Sequence, residues 1–291
     1  MIVRAVIDVG SHSVLLLVAE GPASRPRVLA EDYRITALGS GLGQTGMIEP
    51  EAATRTKKVI ESHLATCREL GADQVTLVGT SALREAKNQN EITEELSSSP
   101  IWILSQQEEA ELTRLGALSE LGFGPDALVC DLGGRSTEIT WPGGKHSLPV
   151  GCQRGREEHL ASDPPSDEEI ARLRAGVQEL LPPAPLTDTL VASGGTATTL
   201  ASMDLELSEY NREAVHGRCV SRDRLVVLIR RLVSVSLAER EKLPGIEPKR
   251  AEVLPAGAVI LDELCGWCRR DEFLVSARGL TWGVWLAQSQ S

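Results

Sequence analysis

The feature that most restricts how this chain can fold is a short passage that occurs twice. AVIDVGSHSV at 5–14 aligns without gaps on LVCDLGGRST at 128–137. Asp8 falls on Asp131, Gly10 on Gly133, Ser11 on Gly134, His12 on Arg135 and Ser13 on Ser136. Each copy is an apolar run ending in Asp, followed by a tight Gly/Ser turn into a second apolar run, the pattern of a β-hairpin. Glycine lets backbone N–H groups turn toward an anion at close range, and serine hydroxyls add donors. An Asp at a strand end can hold a metal ion, directly or through water. A single hairpin of this kind is ordinary, whereas two facing copies would grip a phosphate chain from both sides.

The surroundings of the two copies also match. Around the first, 2–8, 13–19 and 27–38 read as strands and 49–70 as a helix, with Pro50 near its start and Gly71 past its end. Ile60, Leu64, Cys67 and Leu70 form that helix's apolar stripe. A strand at 74–79, a charged helix at 81–96, a strand at 101–104 and a helix from near Gln107 to Gly122 follow. Around the second, 127–131, 137–141 and 146–150 read as strands. Ser166 with Glu169 three residues on is a capping box opening a helix. A strand at 189–193 leads into a helix through GGT, then come helices at about 221–235 and 250–268, a strand at 273–276 and a last helix from Leu280. Three strands followed by alternating helices and strands, twice over, predict an α/β protein of two domains with related topology. They meet near 115–126, giving 1–118 and 119–291, with the last helix packing back on the first domain. A length of 291 residues suits that division.

Composition narrows the function classes. Acidic residues number 41 against 30 basic, a formal charge of −11, which argues against a nucleic-acid binder dependent on basic surface. With five Trp, two Tyr and two Phe, aliphatic residues must fill the cores. No apolar run approaches the roughly 20 residues that span a bilayer, and MIVRAVIDVGSHS lacks a signal-peptide cleavage site, so a cytoplasmic protein is expected. Of six scattered cysteines only Cys265 and Cys268 have motif spacing. No further ligands lie nearby, so an ordinary packed pair is expected rather than a zinc site. A third anion-site candidate is SGGTATTL at 193–200, which puts Ser193, Gly194, Gly195 and Thr196 at a helix N-terminus; a structural β–α turn has the same sequence.

These features resemble the actin-like ATPase superfamily, whose ribonuclease-H-like domains are duplicated around an interdomain cleft. More specifically, TSALREAKNQNE (80–91), SQQEEAELTRLGAL (105–118), DLGGRSTEI (131–139), SLPVGCQRGREEHL (147–160), VHG (215–217) and RAEVLPAGAVIL (250–261) occur in the order seen in the Ppx/GppA phosphatase family. That family comprises exopolyphosphatases and guanosine pentaphosphate phosphohydrolases. The resemblance runs from Ile2 to about Leu286 and is similar to the short type with two domains and no added helical domain.

The resemblance implies hydrolysis of a terminal phosphoanhydride by water. Glu109 matches the family's catalytic Glu, a general base for that water; Glu108 and Glu111 crowd the same helix start, where carboxylates also serve the helix dipole. Asp131 and Glu138 match metal-associated positions, Mg²⁺ being the expected ion, and Asp8 stands as a third candidate ligand. Gly133, Gly134, Ser136 and Thr137 match the phosphate hairpin, with Gly10, Ser11 and Ser13 opposite. Arg84 matches a phosphate-binding arginine, with an ion pair to Glu85 or Glu91 as the alternative. Arg84, Lys87, Arg135, Lys145, Arg154 and Arg156 would form a local cationic patch against the overall charge.

Three positions depart from the family pattern. Arg135 replaces the third Gly of GGGST, as an added cation in the phosphate site or as a side chain narrowing it. His12 replaces the usual Asn, and Leu15 the usual Arg. The leading expectation is a metal-dependent exopolyphosphatase releasing orthophosphate, with guanosine pentaphosphate 5′-phosphate hydrolysis as the close alternative. An actin-like ATPase or small-molecule kinase and a non-catalytic polyphosphate or alarmone sensor are the other classes. Charge-mixed helices leave surface for a homodimer.

Overall fold

The computed structural model describes residues 2–121 and 126–289; the expected helix end at Gly122 lies outside them. The chain divides into two compact units, Met1–Gly116 with Gly279–Ser291, and Ala117–Arg278.

In the first unit, β1 (Val3–Val9), β2 (Ser13–Glu20) and β3 (Arg27–Ile35) form an antiparallel meander, and α1 (Leu42–Thr45) and α2 (Pro50–Glu69) lead to β4 (Gln74–Gly79). Short helices α3 (Ser81–Glu85) and α4 (Gln89–Leu96) precede β5 (Ile101–Ile103), and α5 (Gln106–Leu118) leaves it. The sheet order is β3-β2-β1-β4-β5, with β4 and β5 parallel to β1. Alternation along β1 sends Ala5, Ile7 and Val9 to a core under α2 and Val6 to the opposite core.

The second unit repeats the plan. β6 (Leu128–Leu132), β7 (Thr137–Trp141) and β8 (Gly144–Leu148) form a meander, and α6 (Cys152–His159) and α7 (Asp167–Leu180) lead to β9 (Leu190–Ser193). Then come α8 (Gly195–Asp204), α9 (Arg212–Val215), β10 (Cys219–Ser221), α10 (Arg222–Val233), α11 (Leu237–Arg240), α12 (Leu254–Trp267) and β11 (Glu272–Val275). The sheet order is β10-β11-β9-β6-β7-β8, in which β8-β7-β6-β9-β11 reproduces the five strands of the first unit. The last helix, α13 (Leu280–Ser289), belongs to the first unit rather than continuing the second. Trp282 and Trp285 fix it there, their indole N–H groups donating to Glu31 Oε1 at 2.7 Å and to the Ala19 carbonyl at 3.2 Å.

Four local expectations need correction. The helix expected over 81–96 is two helices. Lys87 N–H donates to the Gly46 carbonyl, and the Asn88 amide pairs with both backbone groups of Ile48 at 3.0 Å, which pulls 86–88 out of the helix. β3 stops at Ile35 instead of Leu38 because Thr36 and Ala37 turn their N–H groups to the His12 carbonyl. β8 begins at Gly144 and ends before Pro149, which has no N–H to offer a ladder. The helix expected from residue 250 starts at Leu254, after a 3₁₀ turn at Pro248–Arg250. The capping box at Ser166 and Glu169 is present. Cys265 and Cys268 are both buried, as an ordinary packed pair is. Among the described residues no helix is long and apolar enough to cross a membrane.

Candidate functional site

The two repeated passages form the same turn. Gly10 N–H donates to the Ser13 carbonyl at 3.0 Å, and Gly133 N–H to the Ser136 carbonyl at 3.0 Å. Each turn has two carbonyls held from behind, at positions one residue out of step between the copies. In the first, the Ser11 carbonyl accepts from Gly39 N–H at 2.8 Å and the His12 carbonyl from Thr36 and Ala37 N–H at 3.0 and 2.9 Å. In the second, the Gly133 carbonyl accepts from Cys152 N–H at 3.0 Å, and the Gly134 carbonyl from Gln153 and Arg154 N–H at 2.7 and 3.0 Å. A trans peptide points its N–H opposite to its C=O. With the carbonyls held on the backing segment, the N–H groups of His12 and Ser13, and of Gly134 and Arg135, point away from it, as an anion cradle requires.

The second turn is held by α6, a helix that the sequence pattern does not announce. Its first N–H groups, which lack partners within the helix, are those that grip the hairpin carbonyls. Gly151 permits the approach: a Cβ there would stand 2.6 Å from the Gly133 carbonyl oxygen and 2.7 Å from Arg135 N.

Several side chains expected to bind phosphate are engaged elsewhere. The Thr137 hydroxyl donates to the Val150 carbonyl at 2.6 Å, where it ties the end of the meander. Thr196 turns its hydroxyl inward, against Gly257 of α12 and into a hydrogen bond with the Cys152 thiol. Ser11 bonds the start of α3, with its Oγ 2.8 Å from Ser81 Oγ and accepting from Ala82 N–H at 3.0 Å. Arg135, expected in the phosphate site as an added cation or as a side chain narrowing it, points toward α6. It is 2% exposed and reaches α6, where Nη1 stands 3.6 Å from Glu157 Oε2. His12, its counterpart in the first turn, is buried as well. The serines that remain are the matched pair Ser13 and Ser136, both buried in the turns.

Gly194 and Gly195 do open a helix after β9. Gly194 has φ 93°, a conformation that favours glycine, and a Cβ there would lie 2.6 Å from the Leu132 carbonyl oxygen. The Arg250 guanidinium lies directly over Gly195, so the guanidinium sits at the N-terminus of α8. The sequence carries a signal for it, since Arg250 opens the family motif RAEVLPAGAVIL.

Glu109 lies in the first turn of α5 and is 6% exposed. Arg84, expected on phosphate or paired with Glu85 or Glu91, instead bonds Glu109: its Nη1 donates to Glu109 Oε2 at 2.9 Å and to the Leu104 carbonyl at 2.7 Å. The neighbouring acids separate by role. Glu108 accepts from Ser105 N–H and hydroxyl at 2.8 and 2.7 Å, while Ser105 Oγ accepts from Glu108 N–H at 3.2 Å, a capping box. Those bonds hold the Glu108 carboxyl below its usual range. Glu111 is exposed. Only Glu109 is buried against a cation.

Asp131 and Glu138 are directly opposite one another across β6 and β7. Two carboxylates in that register repel unless one is protonated or a cation joins them. Ser193 Oγ donates to Asp131 Oδ1 at 2.7 Å and Ser147 Oγ to Glu138 Oε1 at 3.0 Å. Crowding by protein raises the Asp131 pKa, which the Ser193 bond partly opposes, although part of its surface stays accessible. In the first unit the partner of Asp8 is Leu15, so that hairpin carries one carboxylate where the second carries two. Among the described residues no group of three or more His, Cys, Asp or Glu forms a metal cage. Mg²⁺ usually takes one or two carboxylates and completes its octahedron with water and substrate phosphates, and the Asp131–Glu138 edge has that donor set.

The expected cationic patch is largely neutralised. Arg84 faces Glu109, Arg135 faces Glu157, Arg154 faces Glu158 and Arg156 faces Glu252.

Duplicated actin-like units, each carrying a backed anion turn, define a phosphate-handling protein of the actin-like fold. The model of the Ppx/GppA phosphatase family matches residues 17–291. Exopolyphosphatase 2 of Mycobacterium tuberculosis is 33% identical over 97% of this chain and 97% of its own. The crystal structure of the Aquifex aeolicus Ppx/GppA family member is 28% identical, with TM-score 0.84 over 99% of this chain and 98% of that one. An exopolyphosphatase-like protein at 27% identity superposes with TM-score 0.93 over 99% of both chains. The chain belongs to the Ppx/GppA phosphatase family and is a phosphoanhydride hydrolase.

Proposed function

We propose that the protein is an exopolyphosphatase, releasing orthophosphate from the end of inorganic polyphosphate. The observation that carries the reading is that each hairpin turn has its carbonyls held from behind, so that the N–H groups of the same peptides face the other way. Such donors are fixed before substrate arrives, so binding them costs little reorganisation. Ser13 and Ser136 add a hydroxyl to each turn. Glu109 orients and deprotonates the attacking water, and its burial against Arg84 keeps the carboxylate in one place. In-line positioning and charge neutralisation are most of what phosphoryl transfer needs. Asp131 and Glu138 would hold Mg²⁺, which when bound neutralises charge on the phosphate oxygens. A cation suits a chain of net charge −11 whose arginines near the motifs are already paired.

The test is phosphate release from long-chain polyphosphate, guanosine pentaphosphate and ATP, with Mg²⁺ and with chelator. Polyphosphate turnover that collapses at least 10²-fold in Glu109→Gln, in line with the usual worth of a general base, supports the reading. Faster turnover of the pentaphosphate would assign the alternative substrate. Full activity in Glu109→Gln would remove Glu109 as the base.

A further inference from the structure

The two hairpins close with the same Gly-to-Ser backbone bond but differ in hydroxyls, and within the turn Ser11 of the first aligns with Gly134 of the second. A turn that grips phosphate through N–H groups therefore does not need that hydroxyl, and its direction in the structure shows another use. Ser11 and Ser81 are 4% and 3% exposed, and their hydroxyls are 2.8 Å apart. Ser11 Oγ also accepts from Ala82 N–H at 3.0 Å. Both contacts are to the first turn of α3.

The helix α3 has five residues, Ser81–Glu85. A helix so short has no stability of its own, so its placement comes from tertiary contacts. Leu83 anchors it in the core, and the Ser11 hydroxyl satisfies an N–H that no residue of the helix can. Arg84 lies in the same turn, its N–H donating to the Thr80 carbonyl at 3.0 Å. Its guanidinium is then fixed at both ends of its reach, on the Leu104 carbonyl and on Glu109 Oε2. An unbroken series of bonds thus runs from the first phosphate turn through Ser11, α3 and Arg84 to Glu109, all within one unit.

We propose that Ser11 is a positioning residue for the general base: its hydroxyl sets α3, and through Arg84 it sets the Glu109 carboxylate, rather than binding substrate. The proposal rests on Glu109 being the base. Displacing a reacting group by about 1 Å can cost about 10²-fold in rate. Ser11→Ala removes the link and leaves the turn's backbone donors, so kcat should fall about 10- to 100-fold while KM and the Kd for polyphosphate stay within about threefold.

The test measures kcat, KM and polyphosphate affinity for Ser11→Ala, Arg84→Lys and the double variant, with Glu109→Gln as reference. The expected result is a loss confined to kcat, and a Ser11→Ala cost that shrinks to about threefold or less in the Arg84→Lys background, since residues acting through one group are non-additive. Affinity weakened tenfold with kcat intact would make Ser11 a phosphate ligand and overturn the proposal, as would unchanged kinetics or full additivity with Arg84→Lys. If Ser11→Ala does not fold, Ser81→Ala, which removes the other hydroxyl of the link, must show the same kcat-selective loss. Full turnover in Glu109→Gln would instead defeat the assignment of the base, an outcome that the Ser11 variants alone do not produce.

Discussion

Arg135 offers the sharpest separation between a ligand-binding and a structural side chain. The guanidinium is 2% exposed and stands 3.6 Å from Glu157, which is 16% exposed and also accepts from Gln153 Nε2 at 3.3 Å. At that separation the gross attraction is about 4–5 kcal/mol for an effective dielectric near 20. Desolvation offsets much of it, but removing one partner strands the other, which for a buried pair costs about 3–5 kcal/mol. Glu157 keeps some exposure and the Gln153 donor, so Arg135→Met should cost about 2 kcal/mol. Glu157→Gln, which removes the carboxylate facing the more deeply buried charge, should cost about 2–3 kcal/mol. The double variant should recover part of the loss, with a coupling of about 1–2 kcal/mol. Denaturant midpoints for the four proteins give the cycle, and KM for short and long polyphosphate gives the second readout. Because the side chain faces α6, KM in Arg135→Met should stay within about threefold at every chain length. A coupling below about 0.3 kcal/mol, with KM raised tenfold or more, would show that the guanidinium serves the substrate and that the pair with Glu157 is incidental.

Other consequences are simpler to check. Gly151→Ala forces a methyl group against hairpin backbone at 2.6 Å; it should cost about 1–3 kcal/mol and lower phosphate release more than Thr137→Val does. Thr137→Val should cost about 1 kcal/mol through the lost bond to the Val150 carbonyl and leave KM unchanged, which thermal melts and kinetics together decide. Glu169 is covered by Ser162, Ala161 and Ser166 donors close to the protein's exterior, and these bonds lower its pKa to about 2. A depressed carboxyl adds stability above its unfolded pKa, so the stabilisation should be full above about pH 4.5 and be lost as pH falls toward about 2. Urea midpoints of Glu169→Gln should therefore lie below those of the parent at neutral pH and converge with them at the acid end of that window.

The repeat made the fold legible because it is an alignment of backbone requirements: strand, carboxylate, tight turn, strand. Its two halves yield the same five-strand order. For the candidate site, spacing marks positions along the chain but not the directions of the side chains. Thr137, Thr196 and Arg135 occupy the hairpin or loop positions that the motifs mark, yet each turns inward. Spacing places a Cα, and direction is decided by neighbours far along the chain. α6 is hidden in the sequence because CQRGREEH has little apolar periodicity; its N-terminal N–H groups are satisfied by the hairpin carbonyls, a contact that sequence does not display. The division of labour among the glutamates of α5, by contrast, has a local signature. Ser105 with Glu108 three residues on is a capping-box pattern, and that spacing by itself assigns Glu108 to the helix start.

That capping box bears on how the proposed base, Glu109, is set apart. Three glutamates within four residues would repel one another and blur which carboxylate meets the water. The fold resolves this by giving each a different environment. Glu108 is consumed by Ser105, Glu111 is left at the surface, and Glu109 alone is turned inward onto Arg84. Arg84 is itself held by the Leu104 carbonyl at the end of the β5 segment, whose N–H bonds the Gly79 carbonyl at the end of β4. The Glu109 carboxylate is thus referenced to the ends of two parallel strands and, through Ser11, to the turn after a third. Loops and helix starts in actin-like folds are free to vary, but these strand ends are tied by ladder bonds. A carboxylate held this way keeps its place without substrate, which is what a hydrolase that must aim one water at one phosphorus requires.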